Sequence, residues 1–106
     1  MNEYIEIDKN EIPYAFEVEL GGEIFELEIN YNAAFDFFTV DLFKGESPLV
    51  IGEKLILNRP LFRNRTHIDL PIVKLIPKDR AGVATRITYD NFNDTVFLYI
   101  VAGDET

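Results

Sequence analysis

The residues able to do chemistry are few. The 106-residue chain has one serine, Ser47, one histidine, His67, and no cysteine. Ser47 sits directly before Pro48 in "KGESP", without the Gly-x-Ser-x-Gly context that exposes a nucleophile. "THID" puts His67 and Asp69 on one face if that segment is extended, but two ligands without a third make a poor metal site. No phosphate-cradling glycine loop and no acidic calcium loop is present. The inventory predicts no catalysis, no metal and no cofactor.

Carboxylates are the abundant group. Between Tyr14 and Phe43 stand Glu17, Glu19, Glu23, Glu26, Glu28, Asp36 and Asp41, with no Lys or Arg among them. Such a cluster admits four readings. It is a solvated face, a contact surface for a basic partner, a cation site, or an acid/base pair of glycosidase type. Hard cations favour clustered oxygens. The acid/base pair needs one carboxyl with a raised pKa inside a cleft, which an open sheet face does not offer. A second, basic cluster holds Arg59, Arg63 and Arg65 around Leu61 and Phe62. Arginine with an aromatic is typical of interface anchors. A plain solvated loop and a nucleic-acid loop are the other readings of it. The candidate contact residues are therefore Glu17, Glu19, Glu26, Glu28 and Asp41 on one surface, and Arg59, Phe62, Arg63 and Arg65 on another.

The elements that position these groups are strands. "FEVEL" and "FELEINY" alternate apolar and polar residues, the mark of half-buried strands. Gly21-Gly22 between them signals a two-residue hairpin. That turn places Val18 opposite Phe25, Phe16 opposite Leu27 and Tyr14 opposite Ile29. A four-residue loop at Asn32–Phe35 places Phe25 opposite Leu42, Leu27 opposite Val40 and Ile29 opposite Phe38. Both turns bury the same face, and burial of one face specifies register. A three-stranded meander over about 13–43 follows, with those nine apolar residues in the core. On its other face Glu17, Glu26 and Asp41 line up, flanked by Glu19 and Glu28.

Beyond the meander, 49–57 reads as a strand with a bulge or bend at Gly52. "LPIVKLIP", bracketed by prolines, suits a sheet edge, and "KDRAGVAT" is a loop. "RITYDNF" and "TVFLYIVA" read as strands joined near Asn93–Asp94, the last covered on both sides. "YIEI" adds an N-terminal strand. The whole is a single all-β domain over 1–106, of about seven or eight strands, closed as a small antiparallel β-barrel or a two-sheet sandwich.

Composition bounds the partners. The net charge is -9, and it is unevenly spread. Residues 1–53 carry thirteen acids and two bases, whereas 54–86 carry eight bases and two acids. The whole repels nucleic acid, while the middle third attracts an acidic partner. No apolar run approaches the ~18 residues of a membrane span. The acidic start "MNEYIEIDKNEIP" lacks the basic and apolar regions of a signal peptide. The acceptor patterns at Asn64 and Asn93 are read as chance.

The string "IPYAFEVELGGEIFELEINYN…DFFTVDLF…PLVIGEKLIL", followed by "ITYDNF…VFLYIVA", resembles the baseplate plug family of tailed phages and prophages. The distinctive parts are Ile12-Pro13-Tyr14, Tyr31-Asn32 ahead of Asp36-Phe37-Phe38-Thr39, and Pro48-Leu49-Val50 leading to Gly52. No catalytic motif is among them. The resemblance implies a structural, non-enzymatic protein of the virion tail baseplate, made in the host cytoplasm. It would pack with hub and spike proteins, with the tail tube or with copies of itself, and bind neither nucleic acid nor membrane. The alternative is a small soluble β-barrel that binds a small ligand or acts as an adaptor. That function needs an apolar cavity with a few converging polar groups.

Overall fold

The computed structural model describes residues 3–63 and 69–102. Its strands run in the order β1 (Glu3–Ile5), β2 (Tyr14–Leu20), β3 (Glu23–Asn32), β4 (Phe37–Lys44), β5 (Ser47–Lys54), β6 (Lys74–Asp79) and β7 (Val96–Val101). A 3-10 turn at Lys9–Glu11 joins β1 to β2. Two antiparallel sheets result, β2-β3-β4-β5 and β1-β7-β6. The sheets do not close into a barrel, so of the two closures the sandwich is the one adopted.

The apolar side of each sheet meets the other. Phe25, Leu27 and Ile29 of β3, with Phe38, Val40 and Leu42 of β4, are buried against Ile5, Leu75, Val96 and Leu98 of the smaller sheet. Tyr14, Phe16 and Val18 of β2 pack against this core but stay half-exposed, because β2 is an edge strand. Strand β7 is covered on both faces. Val96 and Leu98 enter the main core, while Tyr99 and Val101 join Ile76 in a second cluster.

The first hairpin has the expected register. Gly21 and Gly22 both take positive φ, 63° and 88°, as a two-residue hairpin turn demands. Tyr14, Phe16 and Val18 pair with Ile29, Leu27 and Phe25.

The second turn differs by one residue. Asn32 stays in β3 opposite Phe37, and the loop is 33–36 rather than 32–35. Leu27 therefore pairs with Leu42, Ile29 with Val40 and Tyr31 with Phe38. The cause is local. Asp36 takes φ 57°, a conformation Asp tolerates, and its N–H donates to the Asn32 carbonyl at 2.8 Å. The Asn32 Oδ1 accepts the Phe35 N–H at 3.1 Å. Moving the loop by one residue displaces the pairing by two, which keeps every side chain on its face. The core survives the error and the outer row does not.

Strand β5 begins earlier than expected and ends at Lys54. Its pairing with β4 shifts at two places, and Gly52 takes φ 76° at the first of them. This is the bulge that a strand glycine suggested. "RITYDNF" is not a strand. There Thr88 and Asn91 exchange side-chain bonds with each other's backbone N–H, at 2.9 and 3.1 Å. The Asn91 carbonyl then accepts the N–H groups of Asp94, Thr95 and Val96. Short polar side chains here outcompete a ladder for the backbone. Asn93, at φ 63°, sends Oδ1 to the Ile7 N–H at 3.3 Å and so fastens the exit of β1.

Candidate functional site

The outer face of the larger sheet carries the acids, in two short pairs instead of one row of three. Glu17 lies opposite Glu26, whose other neighbour is Phe43. Asp41 lies opposite Glu28, whose other neighbour is Ala15. Glu17 and Glu19 are exposed, and Glu26, Glu28 and Asp41 are half-buried by their strand neighbours. Among the described residues no ion pair reaches Glu17, Glu19, Glu26 or Glu28. The next base along the chain, Lys44, is taken elsewhere. Its Nζ binds Glu23 at 2.9 Å and lies 3.9 Å from Asp69. The Glu23 bond raises the Lys44 pKa.

Two of the seven acids have structural duties that sequence spacing did not reveal. The Gly52 N–H donates to Asp41 Oδ1 at 2.7 Å, so Asp41 holds the β5 bulge. Asp36 leaves the sheet face altogether. It accepts the Tyr31 hydroxyl at 2.7 Å, the Tyr89 N–H at 2.8 Å and the Arg86 guanidinium at 2.9 Å. These bonds, Tyr31 first and then the Tyr89 N–H, hold its carboxyl below the ordinary aspartate range. The same bond raises the Tyr31 hydroxyl. Arg86 also reaches the Asp36 carbonyl at 3.2 Å, so the β3–β4 loop and the 86–89 turn are tied at both ends. Asp79 plays a similar part alone. It accepts the Ala84, Ala81 and Val83 N–H groups, which lower its pKa.

The basic segment lies beside β5, the sheet edge opposite β2. Arg59 and Arg63 are exposed and line a cleft of about 260 Å³ with Lys54, Ile56 and Pro60. Phe62, expected as an interface anchor, is instead 8% exposed and packed in the main core. It takes φ 62°, and its N–H donates to Glu53 Oε2 at 3.0 Å. The turn swings the ring inward, leaving it little surface to offer a partner. Arg65 and His67 lie outside the described residues. Ser47 is exposed at the start of β5.

A larger cleft of about 580 Å³ opens between the β1–β2 connection and the 89–93 turn. Its lining includes Glu6, Asp8, Lys9, Asn10, Tyr89 and Asn93, and is more polar than a small-ligand site requires. Lys9 spans it, with Nζ bonded to the Tyr89 carbonyl and 4.8 Å from the ring centroid. Among the described residues no three His, Asp or Glu side chains gather to hold a metal. No helix among them is long and apolar enough to cross a membrane.

Fold and surfaces together define a small all-β sandwich whose outward features are an acidic sheet face and a basic edge. Residues 2–104 match the family described as cyanophage baseplate Pam3 plug gp18, and the chain belongs to that baseplate plug family. No curated protein gives a significant match. Membership makes the chain a structural protein of the phage baseplate. The residues that carried the resemblance now have physical roles. Ile12-Pro13 is a cis peptide and Tyr14 accepts the Asp8 N–H. Tyr31, Asn32 and Asp36 build the second turn, and Pro48 to Gly52 span the β5 irregularities.

Proposed function

We propose that this chain is a non-enzymatic, plug-like subunit of a phage or prophage tail baseplate, packing with hub and spike proteins at the end of the tail tube. The observation that carries the reading, beyond family membership, is the acidic face whose Glu17, Glu19, Glu26 and Glu28 have no ion pair among the described residues. Like charges directly opposite each other destabilise a sheet. A basic surface across an interface turns that repulsion into partner choice and orientation. That surface belongs to another baseplate protein or to the Arg59–Arg63 edge of a neighbouring copy. The exposed arginines beside β5 extend the same logic to an acidic neighbour on the opposite edge.

The test is co-purification of the chain with the other proteins of its own baseplate at low and high salt. The Glu17→Gln/Glu26→Gln/Glu28→Gln variant should fold normally and lose the association at low salt. The wild-type chain should lose it only at high salt. Association of the variant at every salt concentration would make the acids a merely solvated face.

A further inference from the structure

Exposed sheet edges invite pairing with another chain, and folded proteins usually blunt them. Three of the four edges here are blunted. Strand β1 is three residues long. Strand β5 carries Pro48 and two register shifts. Strand β6 contains Pro77 and is capped from outside by the 58–61 segment, whose Asn58 and Leu61 N–H groups donate to the Pro77 and Leu75 carbonyls at 2.7 and 2.8 Å. Strand β2 has none of these devices. It pairs with β3 through seven consecutive residues without a shift, contains no proline, Lys or Arg, and has β3 as its one sheet neighbour among the described residues. Its core-facing Tyr14, Phe16 and Val18 are half-exposed, where the matching β3 residues are buried. A further strand beside β2 would cover that row.

We propose that the free edge of β2 accepts an extended segment of another protein as an added antiparallel strand, the segment alternating Lys or Arg with apolar residues. This deepens the docking reading above and rests on it. The alternation follows from the two sides of β2. Glu17 and Glu19 stand on the outer face, and Tyr14, Phe16 and Val18 on the inner. A second copy of β2 is the wrong occupant. Antiparallel self-pairing about Glu17 or Val18 sets glutamate opposite glutamate, which sheets disfavour. The acids thus guard the edge against itself while leaving it open to a basic strand.

The probe is a short blocked peptide alternating lysine and valine, titrated into the intact chain while backbone amide signals and exchange rates of 14–20 are followed by NMR. The lysine peptide should slow exchange at alternate β2 amides, those pointing away from β3. The glutamate-valine counterpart should not bind. N-methylation of the peptide at alternate residues should weaken binding about tenfold or more in one methylation frame and leave it unchanged in the other, because only one frame removes ladder bonds. The Glu17→Lys/Glu19→Lys variant, altered only at exposed positions, should reverse the preference between the two peptides. Binding that ignores N-methylation in both frames, or a wild-type dimer paired through β2, overturns the inference. If the lysine peptide protects no β2 amide but salt-sensitive co-purification persists, strand addition fails and the docking reading stands. Loss of both removes the docking reading as well.

Discussion

Two carboxylates that look equivalent in sequence should respond oppositely to removal. Glu26 faces Glu17 directly and has Glu28 two residues along the same strand, with no ion pair to offset either among the described residues. Two carboxylates about 6 Å apart repel by about 0.7 kcal/mol in water, and physiological salt removes roughly half of that. With both neighbours counted, Glu26→Gln should stabilise the free chain by about 0.5 kcal/mol. Asp41 also faces a glutamate, Glu28, but it accepts the Gly52 N–H at 2.7 Å. An N–H bond to a carboxylate contributes about 1 to 2 kcal/mol, against about 0.3 kcal/mol regained from relieved repulsion. Asp41→Ala should therefore destabilise by about 1 kcal/mol. For a domain of this size the two variants should move the melting temperature up by about 2–4 °C and down by about 4–8 °C. Thermal unfolding followed by circular dichroism reads both. In about 1 M salt the Glu26→Gln gain should vanish, because the screening length falls to about 3 Å, while the Asp41→Ala loss should persist. A destabilising Glu26→Gln would mean that Glu26 has a local partner. A neutral Asp41→Ala would mean that the bulge does not depend on its bond.

Three further outcomes follow from the fold. Leu27→Ala, at a fully buried β3 position between the sheets, should cost about 2–5 kcal/mol in denaturant titration. Gly52→Ala has open space around the added carbon but must hold φ 76°, so it should cost about 1–2 kcal/mol by the same assay, from backbone strain alone. Asp36 and Asp79 hold folded pKa values below their unfolded ones, so between those values the unfolded chain binds more protons. Their stabilisation is complete above the unfolded aspartate value near 3.9 and is lost as pH falls through the folded values. Asp36→Asn should flatten that acid limb in a pH series of unfolding curves. Tyr31 and Lys44, raised in the fold, give the opposite limb, complete below the unfolded values near 10 and lost as pH rises.

The core was legible in the sequence because period-two alternation is insensitive to a register error of two. Phe25, Leu27, Ile29, Phe38, Val40 and Leu42 are buried although the second loop was placed one residue early. The outer row was not protected in this way. A shift of two moves Asp41 from Glu26 to Glu28, and the period-two alternation does not announce it. The signal was present in Asp36, a residue type that tolerates positive φ, standing four residues after Asn32. "RITYDNF" carries β-formers in a strand-like order, but its Thr88 and Asn91 side chains bond the local backbone. The burial of Phe62 has a different origin. A positive φ at a bulky residue cannot be read from composition, and it turns the ring inward. Edge protection also became visible only once the strand order was known, since Pro48, Pro77 and the 58–61 cap are defences of particular edges.

The most direct test of the structural role is cryo-electron microscopy of intact tails from the phage or prophage that encodes this chain. Density for a two-sheet sandwich is expected at the distal end of the tail tube. Its β2–β3–β4 outer face should be pressed against lysine- and arginine-rich surface. A complete baseplate without that density, or with the acidic face open to solvent, would contradict it.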